Sequence, residues 1–374
     1  MVVLRRRGGP ETTTSVLVDA RELTGESGWS GIGTTIRGLL GGLADATAGD
    51  VEVRALVTAD VQVPPGIRPA TIHRFARHGR RRSIIEHQAR LPLDLLRHRA
   101  AVFHNPTAHP PVRVPMPWLQ TLYDVIPLVV DDPHLEVLRR RWRRLAPRYR
   151  RADVVAAISR HAADDGIRHL GLDPAKVEVV PLGVSPVFRP GPAEAADEPF
   201  VLLVSEYSRR KGFEDAFAVV GALAEQGLPH RLRVAGRIPP HVRAELEGLV
   251  ASAPRPDRIE LLGFVEDLPA LYRAASLVLV PSRYEGFGLP ALEAMASGTP
   301  VVTYDNTSLP EVVIADALVP DRDVAAMAKL SELLLTQPSR RDDHVAAGLE
   351  RAARFTWGAT AERYVELYRD VARR

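Results

Sequence analysis

The sequence predicts a two-domain α/β protein in which each domain is a doubly wound parallel sheet. Three observations carry this reading. The chain has 374 residues, and a single hydrophobic core stops growing near ~250–300 residues. Short apolar runs alternate with helical stretches in both halves, the pattern of a parallel sheet with crossover helices. Between the halves the composition shifts, because "FRPGPAEAADEP" (188–199) is rich in proline, alanine and acid and reads as a linker.

The elements follow in order. Residues 1–15 are basic, then polar, and are expected to be a disordered tail with no signal-peptide core. The N-terminal domain is expected over 16–188. Its first strand is 16–18, ending at Asp19, and a glycine-rich loop, "GESGWSGIG" (25–33), leads into a helix through "TTIRGLLGGLA". Strands are predicted at 51–57, 101–106, 118–128 and 152–159, and "KVEVVPLGV" (176–184) closes this half. After a linker at 189–199, the C-terminal domain is expected over 200–357. Its strands are predicted at 200–205, 231–236, 258–264, 275–282 and 300–305. The last segment, 358–374, reads as an amphipathic helix crossing back to the N-terminal domain. A ligand is expected at the carboxyl ends of the strands, in the cleft between the domains.

Composition excludes several classes. A net charge of +3 is small for this length, and no nucleic-acid motif appears, so no nucleic-acid partner is expected. Cysteine is absent, which removes disulfides, thiol catalysis and cysteine-ligated metal. It also fits a reducing compartment, and a cytoplasmic location is the expectation. No run of 18 apolar residues exists. "DRD" (321–323) precedes "VAAMAKLSELL" and reads as a helix cap rather than a metal site. Lys176, Lys211 and Lys329 are the three lysines among 49 basic residues, a bias that suggests GC-rich coding and a bacterial source.

The most informative stretch is "YEGFGLPALEAMASGTPVV" (284–302). "SLVLVPS" is its strand and "RYEGFG" the turn at the carboxyl end. Pro290 suits a helix start, and Gly298 followed by Pro300 marks the stop. Glu285 therefore lies on the loop, and Glu293 about one turn into an otherwise apolar helix. Gly286 and Gly288 let a ligand approach the backbone, and the N–H groups near Phe287, Gly288 and Leu289 form an anion site. An ionised carboxylate on an apolar helix is costly unless satisfied, and a vicinal diol satisfies one with two donors. Glu293 is therefore expected to hold a ribose and the helix start a phosphate. On spacing alone a second reading stays open, in which Glu293 faces solvent or pairs with an arginine. Arg210 and Lys211 follow a strand and open a helix, where a phosphate finds cations and free N–H groups. Two solvated surface cations are the alternative, and the rarity of lysine here weighs against it at Lys211.

These residues resemble a known family. "EGFGLPALE" is similar to the Glu-x7-Glu motif of the retaining nucleotide-sugar glycosyltransferases of family 4, which have the GT-B fold of two facing Rossmann-like domains. "SGIGTTIRGLL", "TLYDVIPL", "RADVVAAISRHAADD", "VEVVPLGVSPVFRP", "SRRKGF", "GFVEDLPALYRAAS" and "SLPEV" also resemble family segments, so the likeness covers most of the chain. It implies that the C-terminal domain binds the donor. It places Glu285 near the donor sugar, Glu293 on the ribose, and Phe287, Gly288 and Leu289 on sugar or phosphate through their backbone. Arg210 and Lys211 would neutralise the departing diphosphate. Val265 would contact the base, and Gly31 and Gly33 would bring N-terminal backbone to the donor. Asp124 and Tyr123 would orient acceptor or donor hydroxyls. The resemblance implies a nucleoside diphosphate sugar as co-substrate, a hydroxyl-bearing acceptor, and no cofactor or essential metal.

Two positions depart from the family pattern. Tyr123 stands where histidine is usual, and it keeps a hydroxyl but cannot carry positive charge. Glu206 stands where many members have arginine, and a carboxylate there repels a diphosphate unless it points away or meets the acceptor. His104 and His109 are further candidates near the same cleft, although a lone histidine is more often a packed or surface residue.

The segment "EVLRRRWRRLAPRYRR" (136–151) carries eight arginines, with Leu138, Trp142, Leu145 and Tyr149 at helical spacing. It reads either as weak peripheral contact with anionic lipid or as a core-packed helix with a solvated face. The expected function is a retaining hexosyltransferase moving a sugar to a hydroxyl of a natural product, polysaccharide or glycolipid. The alternative is a nucleotide-sugar-binding relative with little or no turnover. A glycosidase would also want paired carboxylates but would not need the phosphate apparatus.

Overall fold

A computed structural model describes residues 13–23, 31–46, 50–58, 61–72, 90–192 and 197–374. The tail to residue 12, most of the glycine-rich loop and part of the linker lie outside the described residues.

Seven strands form the first sheet: β1 (Thr14–Asp19), β2 (Val51–Thr58), β3 (Arg68–Ile72), β4 (Val102–Asn105), β5 (Trp118–Leu122), β6 (Val154–Ala157) and β7 (Val177–Val179). Their order is β3-β2-β1-β4-β5-β6-β7, and among the described residues each strand runs parallel to its neighbours. Around it lie α1 (Gly31–Ala46), α2 (described over 90–98), α3 (Ile126–Val129), α4 (Glu136–Tyr149) and α5 (Arg160–Leu170).

The second sheet holds β8 (Phe200–Val204), β9 (Arg231–Ala235), β10 (Ile259–Gly263), β11 (Leu277–Val280), β12 (Val301–Tyr304) and β13 (Leu318–Val319), in the order β10-β9-β8-β11-β12-β13. Its helices are α6 (Phe213–Glu225), α7 (Arg243–Ala251), α8 (Leu268–Ala274), α9 (Leu289–Ala296), α10 (Leu309–Val312), α11 (Val324–Thr336) and α12 (Pro338–Ala352). Strand β11 shows why both faces must be covered. Val278 and Val280 pack into one core, and Leu277 and Leu279 into another on the opposite face, as side chains alternate along a strand. The two sheets are the Rossmann-like halves of a GT-B fold.

Each sheet reverses its order at one point, between β1 and β4 and between β8 and β11. In open α/β sheets such a reversal, at the carboxyl ends of the strands, is where a ligand crevice forms. The helix α13 (Trp357–Ala372) leaves the second domain and packs on α1 and against β1 and β4. His104 on β4 anchors it. That fully buried ring bonds Tyr368 Oη at 2.7 Å through Nδ1 and Thr121 Oγ1 at 2.9 Å through Nε2, and Tyr364 lies beside it. His104 is thus part of the packing between α13 and the first sheet.

Several expectations need correction. Residues 118–128 are not one strand. The strand ends at Leu122, and α3 begins at Ile126, whose N–H donates to Asp124 Oδ1 at 3.0 Å while Pro127 occupies the first turn. Gly31 and Gly33 lie in the first turn of α1 rather than in the preceding loop. Arg210 and Lys211 belong to a short 3-10 turn, Arg209–Lys211, and the helix proper starts after Gly212. Strands β3 and β13 lacked a recognisable signal. Both are edge strands, and β3 carries Pro69, which only an edge tolerates.

Candidate active site

The two loops that follow β8 and β11 flank the second switch point, and they bring the main candidates together. Lys211, 13% exposed at its side chain, donates from Nζ to Glu285 Oε1 at 2.6 Å. Ser282 Oγ donates to the same oxygen at 2.7 Å. Arg210 Nη1 lies 3.7 Å from Glu285 Oε2 and donates to the Tyr284 carbonyl at 2.9 Å. The backbone of Glu285 is held as firmly. Its N–H donates to Thr307 Oγ1 at 3.1 Å, and its carbonyl accepts from Ser308 Oγ at 2.9 Å. Thr307 makes its contact from a left-handed backbone at φ 49°, a rare state for a β-branched residue that marks a strained position.

Burial by itself pushes the Glu285 carboxyl up. Lys211 and then Arg210 outweigh it and hold the group below its ordinary value. The same burial draws the Lys211 ammonium down, with Glu285 opposing. The pair is a buried ion pair with a second cation alongside.

The N-terminal domain meets this loop at Tyr123 and Asp124. A Cβ on Gly286 would fall 2.4 Å from the Tyr123 carbonyl oxygen and 3.1 Å from Asp124 Cβ, so only glycine fits that approach. The Asp124 carboxyl is raised by burial, with Arg210 opposing and Glu285 adding to the rise. It therefore lies within the field of the Lys211–Glu285 cluster. Tyr123 donates its hydroxyl to the Pro106 carbonyl at 2.7 Å, and burial holds that phenol neutral.

Gly288 adopts φ 106° and starts α9. Among the described residues the N–H groups of Phe287, Gly288 and Leu289 take no hydrogen-bond partner. The Phe287 ring itself is buried, edge-on to Phe355 at 5.9 Å, so any ligand contact there is through backbone. One turn on, Glu293 Oε2 accepts the Tyr272 hydroxyl at 2.9 Å. Burial lifts its carboxyl to about 7, and the Tyr272 hydrogen bond opposes the rise. Among the described residues no arginine pairs with it, and the residue is half-buried.

The remaining candidates lie around this centre. Val265 is half-buried just after β10, beside Phe264, which is 63% exposed. Gly31 is exposed, and its carbonyl accepts the Thr35 hydroxyl at 2.9 Å. Glu206 is exposed four residues before Arg210, and among the described residues its carboxylate meets no partner. His109 is exposed, with its backbone carbonyl taken by Asn105. Asp323 accepts the Ala326 N–H and caps α11. Among the described residues no three acidic or histidine side chains gather as metal ligands. Sequence reasoning missed Ser282, Tyr272, Thr307 and Tyr284: the last three reach their partners across the fold, and Ser282, only three residues before Glu285, sits in no spacing that names it.

The helix α4 buries Trp142, Leu145 and Tyr149 and leaves Leu138 40% and Val137 79% exposed. Arg139, Arg148 and Arg151 donate to backbone carbonyls of neighbouring loops. The apolar stripe is core packing for three of its four residues.

Comparison with known proteins extends this. Residues 29–188 match the family model for Glycosyltransferase Family 4, and residues 185–351 that for Glycosyl transferases group 1. The chain is 44% identical over 124 residues to the O-antigen chain mannosyltransferase B of Escherichia coli, covering 32% of each protein. It is 36% identical over 236 residues to the D-inositol 3-phosphate glycosyltransferase of Kineococcus radiotolerans, covering 53% of each. The chain thus spans about half the length, or less, of these curated relatives. In fold it matches Anabaena HepE, solved with UDP-glucose, at a TM-score of 0.73 and 16% identity over 95% of this chain and 99% of that one. With both halves matched in sequence and nearly the whole chain matched in fold, the chain belongs to the family 4 glycosyltransferases of the GT-B fold.

Proposed function

We propose that the protein is a retaining, metal-independent glycosyltransferase that moves a hexose from a nucleoside diphosphate sugar to an acceptor hydroxyl. The observation that carries the reading is the grouping of Lys211, Arg210 and the unpartnered N–H groups of Phe287–Leu289 around one buried carboxylate, Glu285, at a switch point. That is an anion site with two cations, suited to a departing diphosphate. Glu293, one turn further along α9, would take the ribose hydroxyls, with Oε1 open beside the Tyr272-bonded Oε2.

In this reading the bond from the anomeric carbon to the diphosphate breaks as the acceptor oxygen bonds to the same carbon from the same face. The acceptor proton passes to the departing diphosphate, whose charge Lys211 and Arg210 stabilise. Glu285 Oε1 is saturated by Lys211 and Ser282, which argues against a nucleophilic role. It fixes the cations, and Oε2 is free to accept a sugar hydroxyl. Asp124 and Tyr123, pressed against Gly286 from the other domain, would orient hydroxyls at the reacting sugar. Gly31, Gly33 and Val265 keep the donor contacts that the family likeness implies.

The relatives' names carry a mannosyl group in one case and D-inositol 3-phosphate in the other, and the HepE structure carries UDP-glucose. A hexose donor and a polyol acceptor are accordingly the first to try. No described helix is long and apolar enough to cross a membrane. A cytoplasmic site of action is part of the proposal. A binder without turnover is the weaker reading, because both halves of the chain match glycosyltransferase family models.

Thermal unfolding with UDP, GDP, dTDP and ADP, on wild type and Glu293→Ala, tests the donor site. A ligand at 100 times its dissociation constant stabilises by about 2.7 kcal/mol, a shift of a few degrees. One nucleotide should shift wild type and not the variant, and its sugar donors should then be consumed. No shift with any of the four refutes the reading.

A further inference from the structure

The Glu285 loop is bonded to the N-terminal domain on both sides of Glu285. On one side, Tyr284, only 4% exposed, donates its hydroxyl to Asp165 Oδ2 of α5 at 2.6 Å. On the other, the Gly286 carbonyl accepts Ser159 Oγ at 2.8 Å, and that oxygen also caps α5 through the Ala162 N–H at 3.0 Å. The start of α5 is itself gripped from the C-terminal domain. Glu311 accepts the N–H groups of Arg160 and His161 at 2.7 and 2.8 Å, a carboxylate at the positive end of a helix.

Asp165 is built for this contact. It is buried, with His161 Nε2 at 3.3 Å, Arg168 Nη1 at 3.3 Å and His169 Nε2 at 3.8 Å. Burial pushes its carboxyl up, but His161, Tyr284 and His169 together hold it below its ordinary value. A charged acceptor makes a short, strong bond to a hydroxyl. Tyr284 is one residue from Glu285, and its own carbonyl holds Arg210. A shift of Tyr284 therefore moves the carboxylate and one of the two cations together. The C-terminal domain alone supplies Thr307 and Ser308 to Glu285, but neither reaches residues 284 or 286.

We propose that Asp165 is a positioning residue for the reaction: by holding Tyr284 it sets the Glu285 loop and Arg210 in register only when the two domains are docked. The loop then reports domain closure directly to the diphosphate site. The inference rests on the reading of that site as the donor site.

The test uses the full chain and the variants Asp165→Asn and Tyr284→Phe, both close in shape to the native residues. Amide hydrogen exchange is followed over 283–288 and 159–163, and donor consumption gives kcat and KM. The expected result is faster exchange in both segments, with kcat lowered about 10-fold or more and nucleotide affinity lowered by a clearly smaller factor. The double variant should lose no more than either single one. Unchanged exchange over 283–288 in both variants, or wild-type kcat, overturns the proposal. So does a loss of nucleotide affinity equal to the loss of turnover, which is what a purely structural contact gives. If wild type binds no nucleotide and consumes no donor, the functional reading fails. The exchange data then still decide whether Asp165 holds the loop.

Discussion

Tyr272 donates its hydroxyl to Glu293 over 2.9 Å, so the carboxylate on an apolar helix has one oxygen satisfied before any ligand arrives. Burial still lifts it from 4.5 to about 7. Two ribose hydroxyls need the ionised form. Nucleotide affinity should therefore fall as pH drops through 7, by about 10-fold between pH 8 and pH 6. The folded form also holds a proton that the unfolded chain has lost between pH 4.5 and 7, so this group costs stability as pH rises through that window. Calorimetric titration of wild type against Glu293→Gln at each pH cancels the nucleotide's own titration. A parallel pH dependence in both proteins would remove Glu293 from the site.

The Lys211–Glu285 pair invites a second test. Lys211→Ala leaves a buried carboxylate with Arg210, at 3.7 Å, as its remaining cation. Breaking such a pair from one side costs about 3–5 kcal/mol. Lys211→Met combined with Glu285→Gln removes both charges and should recover much of that stability while donor turnover stays lost. Urea unfolding beside a turnover assay separates the two effects. A double variant as unstable as the single one would mean that the geometry, not the charge, holds the loop.

These two pairs show how far the sequence could be read. The helix start, the loop and the positions of Glu285 and Glu293 were legible because Pro290, Gly298 and the apolar run fix local structure whatever surrounds it. Tyr272 was not, since nothing local says that a tyrosine 21 residues away reaches Glu293. Strand alternation revealed both sheets but not the edge strands β3 and β13, which each pair with a single neighbour. Pattern also misled at 118–128, where the apolar run continues past Leu122 but Asp124 and Pro127 turn it into a helix. For His104 the sequence left a cleft role and a packed role open, and it is a core residue of the interface with α13.

That histidine makes a third prediction. His104 is fully buried and its imidazole is held neutral, with its proton affinity lowered to about 3. The unfolded chain takes up a proton below its ordinary 6.5, and the folded one does not. Stability is therefore lost as pH falls below 6.5, by about 2 kcal/mol at pH 5. His104→Phe is expected to be less stable at pH 7 yet lose less on going to pH 5. Equal losses in the two proteins would assign the acid sensitivity elsewhere. Tyr368→Phe, which leaves Nδ1 without its 2.7 Å partner, should cost about 1–3 kcal/mol at pH 7.

Glu206 stands exposed at the carboxyl end of β8, on the loop that leads to Arg210 and Lys211. A negative charge there opposes a diphosphate that the next residues attract. Its exposure keeps the repulsion small, because water screens it and the side chain is free to swing away. Glu206→Gln should tighten nucleoside diphosphate binding by a few-fold, and Glu206→Arg by about 10-fold at low salt. Both gains should shrink near 1 M salt, where the screening length falls to about 3 Å. Binding of the nucleoside without phosphates should not change. If Glu206→Arg tightens nucleoside and nucleotide alike, the residue acts on the base or on the loop. If it weakens turnover while tightening binding, the native carboxylate serves the acceptor side of the cleft, where its negative charge would otherwise have no use.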